Sequence, residues 1–297
     1  RKQTCLRRLF QSAKADFSLS IAPDFNRGGR RCLPKGTGQD TRRPRRNTLP
    51  MDELGLIVYC GTVPSTQDLA REILQSPPVQ IRGVVAEHQT AGRGRYGNRW
   101  LDTPGESLLM TLLIRLQPQE LTSAGQLAFV LALAVADALQ EQAGLDVRFK
   151  WSNDVLAGGR KLAGILIETA SDAQGQPWAL AGVGVNLLQR DFPEEIRDRA
   201  TSVLLETGLA LPIERLAQSL LRHTDRWAGV WRSDGLPAIL GEWRQRDVTT
   251  GQRYRLPSGV VGVAQGVSDE GELLVEVHEQ QVVVNSAEAV HGDYHNR

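Results

Sequence analysis

Short apolar runs alternate with only a few helical runs from Leu56 onward, and this order restricts the fold more than any other feature of the chain. Helical periodicity follows Ser65 and recurs at 123–142 and 213–231, whereas the other runs have the composition of buried strands. These strand-like runs are 56–60, 82–87, 107–116, 147–151, 164–169 and 178–187. Many strands with fewer helices predict an α+β domain built on a mixed sheet.

The longest apolar stretch lies within the second helical run. It covers residues 127–139, which is too short to span a bilayer, so we expect no transmembrane helix. We predict that Ser123 and Gln126 cap this helix and that Gly144 ends it.

The pattern changes after residue 248 to short runs separated by closely spaced glycine turns, which predicts a small β-barrel. The chain is therefore divided into a segment at 1–50, a main domain at 51–247 and a C-terminal domain at 248–297. Residues 1–50 hold 13 Lys and Arg against three Asp, whereas the rest holds 22 basic and 31 acidic residues. The acidic balance of residues 51–297 argues against nonspecific nucleic-acid binding by that region, although the basic segment at 1–50 could bind nucleic acid.

The basic segment at 1–50 has no sustained periodicity, so we predict that it is disordered. It is either sequence from upstream of a native start at Met51 or an arginine-rich transit peptide. The three cysteines, Cys5, Cys32 and Cys60, form no CxxC pair and no even framework. They predict a reducing compartment and no zinc site.

The most specific segment is the loop EHQTAGRGRYGNRW at 87–100. Its glycines allow the backbone to approach a ligand closely, and its arginines offer planar forks that pair with phosphate or carboxylate. Trp100 adds a flat face on which a heterocycle can stack. The loop predicts an anion site, with a solvated loop and an RNA-binding stretch as the alternatives.

Two further segments carry polar residues in strand and turn positions. The segment KWSNDVLAGGRKLAGILIE at 150–168 reads as strand, polar turn, glycine hairpin and strand, which can bring Asn153 and Asp154 opposite Lys161. In GVGVN at 182–186 the glycines leave room for a ligand ring, and Asn186 can read an amide or amino edge. Taken singly, these features are ordinary turn chemistry and close strand packing.

In this order and spacing the three segments closely resemble the biotin protein ligase family, whose signatures are GRGRxGRxW, KWPNDxxxxxxKxxGxL and GxGxN. The resemblance extends from about Met51 to the C-terminus. It implies a mixed-sheet catalytic domain of the biotin/lipoate ligase type, followed by a small SH3-like β-barrel.

The resemblance also implies a two-step reaction with ATP, biotin and Mg²⁺. Biotin is activated as biotinyl-5′-AMP, and its acyl group is then transferred to a lysine of a carrier domain. The implied catalytic residues are Lys161, Arg95 and Asp154, with Lys161 bridging the biotin carboxylate and the α-phosphate. Whether Asp154 binds the metal or orients the incoming amine stays open.

The resemblance assigns binding residues at the matching positions. Those implied for biotin are Ser65, Thr66, Gln67, Gln89, Arg93, Gly94, Arg95, Lys161 and Gly164. Those implied for the nucleotide are Arg93, Trp100, Asn153 and Asn186. The sequence departs from the family pattern at three positions, where Gln67 replaces asparagine, Ser152 replaces proline and Asn98 replaces arginine. Ser65 also has capping-box spacing with Asp68, so a purely structural cap is its alternative role.

The implied partner is the biotin carboxyl carrier protein of acetyl-CoA carboxylase or of another biotin-dependent carboxylase. Residues 1–50 are too short and too poor in apolar periodicity for a winged helix-turn-helix, so we expect no DNA binding. A cytoplasmic location, no membrane association and a possible homodimer complete the expectations. The alternatives are a lipoate or octanoate ligase and a nucleic-acid-binding regulator acting through the basic segment.

Overall fold

The computed structural model describes residues 56–76, 80–285 and 291–292. The predictions made for residues 1–50 lie outside this part of the chain. Twelve strands and four α-helices are described. The helices are α1 (Thr66–Leu74), α2 (Leu127–Ala143), α3 (Val203–Thr207) and α4 (Ile213–Arg244).

Seven strands form one mixed sheet in the order β1-β2-β3-β7-β6-β5-β4. They are β1 (Leu56–Val63), β2 (Ile81–Gln89), β3 (Ser107–Arg115), β4 (Arg148–Lys150), β5 (Asp154–Ala157), β6 (Arg160–Ser171) and β7 (Pro177–Asn186). Only the pairing of β1 with β2 is parallel within this sheet. The predicted α+β class with a mixed sheet is confirmed.

The two faces of the sheet have different partners. On β3, Met110 and Leu112 belong to the apolar core that includes α2 and α4, whereas the Thr111 hydroxyl donates to Thr66 at the start of α1. Because successive side chains of a strand point to opposite faces, α1 lies on one face and the α2–α4 pair on the other. The second face holds the large core, and the α1 face is available for polar chemistry.

Helix α2 is the central helix of the core. By length and composition Pro118–Ala143 could cross a membrane, but 61% of its most apolar window is buried inside the protein. Leu131, Leu133 and Leu139 are completely buried, and burial of each stabilises the fold by roughly 1.5–3 kcal/mol. Its apolar composition is therefore that of a core helix.

The predicted start of α2 was wrong, whereas its end was right. Residues Pro118–Gln126 form a 3₁₀ helix, in which Gln117 and Glu120 supply the capping box. The α-helix proper follows without a side-chain cap, and Gly144 ends it in the left-handed conformation, at φ 62°. Ser123, which was predicted as a cap, donates its hydroxyl to the Glu120 carbonyl instead.

Five strands form the C-terminal antiparallel sheet in the order β11-β10-β9-β8-β12. They are β8 (Arg253–Arg255), β9 (Val261–Val267), β10 (Leu273–Val277), β11 (Gln280–Val284) and β12 (His291–Gly292). A turn of this sheet packs on the main domain, where the Trp151 indole donates to the Gly271 carbonyl at 3.0 Å. This contact lies directly beside the polar segment that follows β4.

Candidate active site

The glycine–arginine loop joins β2 to β3 and folds as a small hairpin. Gly94 N donates to Asn98 O at 2.7 Å, and Trp100 N donates to Gly92 O at 3.0 Å. The turn between them places Tyr96 at φ 57° and Gly97 at φ 76°. These backbone hydrogen bonds fix the positions from which the arginine side chains of the loop extend.

Trp100 lies on the sheet over two paired glycines. Gly164 of β6 is the register partner of Gly184 of β7. A Cβ atom at Gly184 would lie 2.7 Å from the indole, and one at Gly164 would lie 3.0 Å from it. Val183 and Val185 point into the core, so the alternation in GVGVN places the glycines on the α1 face. The glycines therefore permit a flat ring to lie against the strands.

Four of the residues predicted to bind biotin form one hydrogen-bonded cluster at the start of α1. The Gln89 side-chain oxygen accepts from Thr66 N at 2.8 Å and from Thr66 Oγ1 at 3.1 Å. Ser65 is the N-cap of α1, and its hydroxyl accepts from Gln67 N at 3.3 Å. Gln89 ends β2 and Thr66 begins α1, so this contact joins residues that are 23 positions apart in the sequence.

Gln67 is almost completely buried, with 3% of its surface exposed. Its Nε2 donates to Leu166 O at 3.0 Å and to Leu180 O at 3.3 Å. Its Oε1 is buried and has no hydrogen-bond partner among the described residues. A buried acceptor left without a donor costs about 1–3 kcal/mol, so this oxygen is suited to receive a ligand N–H.

Lys161 projects from β6 onto the same face. Its ammonium lies 2.5 Å from Asp154 Oδ1, and a Cβ atom at Gly164 would lie 3.4 Å from Lys161 Nζ. On the edge of β6 that faces away from β5, the Lys161 backbone N–H donates to Arg199 O at 2.7 Å, and the Lys161 carbonyl accepts from Thr201 N at 2.9 Å. The ammonium and the Trp100 indole thus both adjoin Gly164.

Glu206 of α3 stabilises this arrangement, and the sequence analysis missed it. Its Oε1 accepts from Arg160 at 2.8 Å and from the Thr201 hydroxyl at 2.5 Å. Asn186 supports the same segment, because its Nδ2 donates to Thr201 O at 3.0 Å. The Asn186 amide donor is therefore engaged with the backbone that flanks Lys161, and its contact with a nucleotide stays a prediction.

Arg93 is held between two carboxylates. It binds Asp68 through two hydrogen bonds of 3.0 and 2.8 Å, and its Nε lies 3.6 Å from Glu168 Oε1. The hydrogen bond to Asp68 is the main cause that raises the pKa of Arg93 above its ordinary value. Asp68, predicted to complete a capping box with Ser65, is engaged with the loop.

Arg95 connects the loop to the polar segment after β4. Its guanidinium donates to Ser152 Oγ and, at 3.5 Å, to Asn153 Oδ1, and it lies 4.6 Å from the centre of the Tyr96 ring. Asn153 is itself fixed, because its Nδ2 donates to Ile165 O at 2.9 Å. The two motifs therefore meet through Arg95.

A buried carboxylate anchors the base of the loop. Asp102 has a side chain that is 1% exposed, and its Oδ2 lies 2.7 Å from His88 Nδ1. The same oxygen accepts from Gln89 N at 3.4 Å. Among the described residues no group of three His, Cys, Asp or Glu side chains is arranged to hold a metal ion.

Sequence reasoning missed the acidic residues that pair with the glycine–arginine loop and with the β5–β6 hairpin next to Lys161. They are Asp68, Asp102, Glu168 and Glu206. Their only sequence signal is the acidic balance of residues 51–297, which indicates that partners for the arginines exist without saying where they lie.

Comparison with known proteins finds a family match in each of two regions of the chain. Residues 59–186 match the Biotin/lipoate A/B protein ligase family, and residues 251–292 match the Biotin protein ligase C terminal domain. A biotin--[acetyl-CoA-carboxylase] ligase of Mycobacterium tuberculosis is 39% identical, over 80% of this chain and 88% of that protein. A ligase of the same name from Paracoccus denitrificans is 35% identical, over 70% and 90%.

A solved structure has the same fold. The biotin protein ligase of Aquifex aeolicus in complex with biotin and ATP has a TM-score of 0.69 and 27% sequence identity, covering 80% of this chain and 99% of that one. The bifunctional ligase/repressor BirA of Bacillus subtilis is 32% identical, over 78% of this chain and 73% of that protein.

Proposed function

Because this chain belongs to the biotin protein ligase family, we propose that it activates biotin with ATP and transfers the biotinyl group to a lysine of a carrier domain. The observation that carries the proposal is the meeting of the Lys161 ammonium and the Trp100 indole at Gly164. A cation beside a flat aromatic surface suits a reaction in which a carboxylate meets the α-phosphate of a nucleotide whose base stacks on that surface. The relative solved with biotin and ATP bound supports both substrates.

In the proposed first step, a biotin carboxylate oxygen attacks the α-phosphorus of ATP, and the bond to pyrophosphate breaks. Biotinyl-5′-AMP and pyrophosphate are the products. Two anions must come together, so a fixed cation between them lowers the barrier. Lys161 is the proposed cation, and Arg95 supplies a second positive charge from the loop. In the second step the neutral carrier amine attacks the acyl carbon, AMP leaves with the bonding pair of the C–O bond, and the amine nitrogen releases one proton to solvent.

The buried amide of Gln67 supports recognition of a neutral hydrogen-bond donor. A biotin ureido N–H reaching Gln67 Oε1 would satisfy the one oxygen there that has no partner among the described residues. Ser65, Thr66 and Gln89 line the same part of the site in the proposal, and Arg93, Gly94 and Gly164 are further proposed biotin contacts. The proposed nucleotide contacts are Arg93, Trp100, Asn153 and Asn186.

Mg²⁺ would enter as the partner of the ATP phosphates. The ion usually takes one or two carboxylates and completes its coordination with phosphate and water, so a single carboxylate is compatible with it. Asp154 is the proposed protein ligand, and Lys161, 2.5 Å away, is its partner in the structure described here. The ion would supply positive charge to the phosphates. The alternative role for Asp154 is to orient the incoming lysine amine.

The proposed partner is based on the names of the related enzymes. The names of the Mycobacterium and Paracoccus enzymes support acetyl-CoA carboxylase as the source of the carrier domain. We keep the absence of DNA binding, a cytoplasmic location and a homodimer as predictions.

The decisive experiment is biotin-dependent exchange of labelled pyrophosphate into ATP, with lipoate and octanoate as parallel acids. We expect exchange with biotin alone, followed by biotinyl transfer to an added carrier domain. Exchange with lipoate or octanoate instead would assign the chain to the other branch of the matched family. No exchange with any of the three acids would contradict the proposal.

A further inference from the structure

Ser152 occupies the family-signature position at which this chain departs from proline, and the structure gives its side chain a contact that proline cannot make. The residue is 5% exposed, and its hydroxyl accepts from the Arg95 guanidinium. Arg95 is the proposed cation of the loop. The substitution therefore connects a buried, fixed segment to a side chain on the exposed hairpin.

The neighbours of Ser152 hold its hydroxyl in place. On one side Trp151 N donates to Thr249 Oγ1 at 2.8 Å. On the other side Asn153 is paired with Ile165, through Ile165 N to Asn153 O at 3.0 Å and Asn153 Nδ2 to Ile165 O. Because the residues before and after it are both anchored, the hydroxyl is an acceptor at a fixed position.

Arg95 has the opposite character. It lies in a turn where Tyr96, Gly97 and Asn98 are all exposed. Its other side-chain contacts are with the ring and hydroxyl of Tyr96, which lies in the same exposed turn, and with Asn153 through a 3.5 Å hydrogen bond. A long arginine side chain loses much rotamer freedom when it is ordered. A partner that orders it before ligand arrives removes that loss from the binding step.

We propose that Ser152 is a positioning residue that holds the Arg95 guanidinium over the site before substrate binds. This inference rests on the proposed function for its kinetic consequence, but its structural consequence is independent of activity. Without the hydroxyl the loop is less ordered in the unliganded protein, and more binding free energy is used to order it.

The structural test is limited trypsin digestion of the unliganded protein, with cleavage after Arg93 and Arg99 quantified by mass spectrometry. We expect Ser152→Ala to be cleaved at these bonds about three- to tenfold faster than the parent chain. The matched control is Ser219→Ala, which removes another buried serine hydroxyl, one that donates to Glu141 far from the loop. Equal cleavage rates in Ser152→Ala and the parent chain would overturn the proposal.

The kinetic test asks whether Ser152 acts through Arg95. Pyrophosphate exchange is measured for Ser152→Ala, Arg95→Ala and the double variant. We expect the KM for biotin to rise about three- to tenfold in Ser152→Ala with a smaller change in kcat, and no further change when Arg95 is already absent. Additive effects in the double variant would show that Ser152 acts independently of Arg95, which contradicts the proposal.

A conservative variant separates positioning from folding. Ser152→Thr keeps the hydroxyl, so we expect its loop cleavage and its KM for biotin to return toward those of the parent chain. Thermal unfolding of each variant identifies any that fail to fold. If the parent chain shows no biotin-dependent exchange, the proposed function fails while the digestion result still decides the role of Ser152.

Discussion

The two sides of the site are held in different ways. Lys161 projects from a strand whose backbone is hydrogen-bonded to β5 on one side and to residues 199 and 201 on the other. The arginines of the loop lie on an exposed hairpin and are fixed mainly by side-chain contacts with Asp68, Glu168 and Ser152. Lys161 is therefore held by the backbone hydrogen bonds of the sheet, whereas the loop arginines are held mainly by contacts of their side chains.

The difference matches what the two sides have to do in the proposed reaction. A cation that stabilises developing charge contributes most when it needs no reorganisation, which favours a strand. A loop that must admit substrates and then exclude water has to exchange its contacts. Exposed ion pairs, each worth about 0–1 kcal/mol, allow that exchange at little cost.

The largest effect is expected on the fixed side. Lys161→Ala removes the cation without altering a backbone hydrogen bond, so we expect biotin-dependent pyrophosphate exchange to fall about 100- to 1,000-fold or more. The unfolding temperature should change little, because the ammonium is partly exposed. Exchange at the rate of the parent chain would show that the loop alone supplies the charge.

The loop side is expected to show a smaller effect of a different kind. Arg95→Ala removes charged hydrogen bonds worth roughly 1.5–3 kcal/mol, so biotinyl-AMP should dissociate about 10- to 100-fold faster. Release of labelled adenylate measures this rate. Arg99→Ala is the control on the same hairpin, since Arg99 makes a 3.4 Å hydrogen bond to Thr90 O. Equal release from both variants would remove the distinct role of Arg95.

Glu206 tests whether the rigidity of the Lys161 strand matters. Glu206→Ala breaks the contacts with Arg160, which precedes Lys161 in β6, and with Thr201, whose backbone N–H donates to the Lys161 carbonyl. We expect kcat for pyrophosphate exchange to fall about tenfold, with little change in the KM for biotin. Glu206→Asp should recover part of the rate. Glu194→Ala, at an exposed position in the preceding segment, is the control. A change in KM alone would instead place Glu206 in substrate binding.

Sequence patterns predicted the mixed sheet, because strand and helix periodicity is local, whereas a shared site for the three motifs was implied only by the family resemblance. The alternation in GVGVN is one example, since it places Gly182 and Gly184 on the face opposite the core valines. The glycine hairpin before Lys161 likewise predicted the approach of Asp154. Local patterns of this kind survive folding because tertiary contacts reinforce them.

The remaining features depend on contacts between distant segments. Glu206 meets Arg160 across 46 positions and Arg93 meets Asp68 across 25, and no spacing in the sequence encodes such pairs. The end of α4 was missed for another reason. Helical periodicity predicted 213–231, but the helix resumes after a kink at Gly235, at φ 75°, and runs to Arg244. Gly235 and the following Pro237 resemble a stop signal, and packing in the core overrides it.

The smallest effect is expected where ion pairs lie away from the site, between α2 and α4. Burial acts to raise the pKa of Glu141, but hydrogen bonds from His223 and Ser219 and the charge of Arg222 together lower it. A lowered carboxyl pKa stabilises the fold above the unfolded-state value, near 4.3, and the contribution is lost as pH falls through the folded-state pKa. Solvent screening limits it to about 1 kcal/mol.

Glu141→Gln should therefore lower the unfolding temperature by about 2–4 °C or less at pH 7, and the difference should shrink below pH 4. The charged and titratable side chains around this contact are Asp137, Arg222, His223 and Arg226. Calorimetry across this pH range measures the effect, and pyrophosphate exchange should not change. If exchange did fall, contacts on the core face would be coupled to the site, and rigidity of the Lys161 strand would be a property of the whole domain rather than of its immediate neighbours.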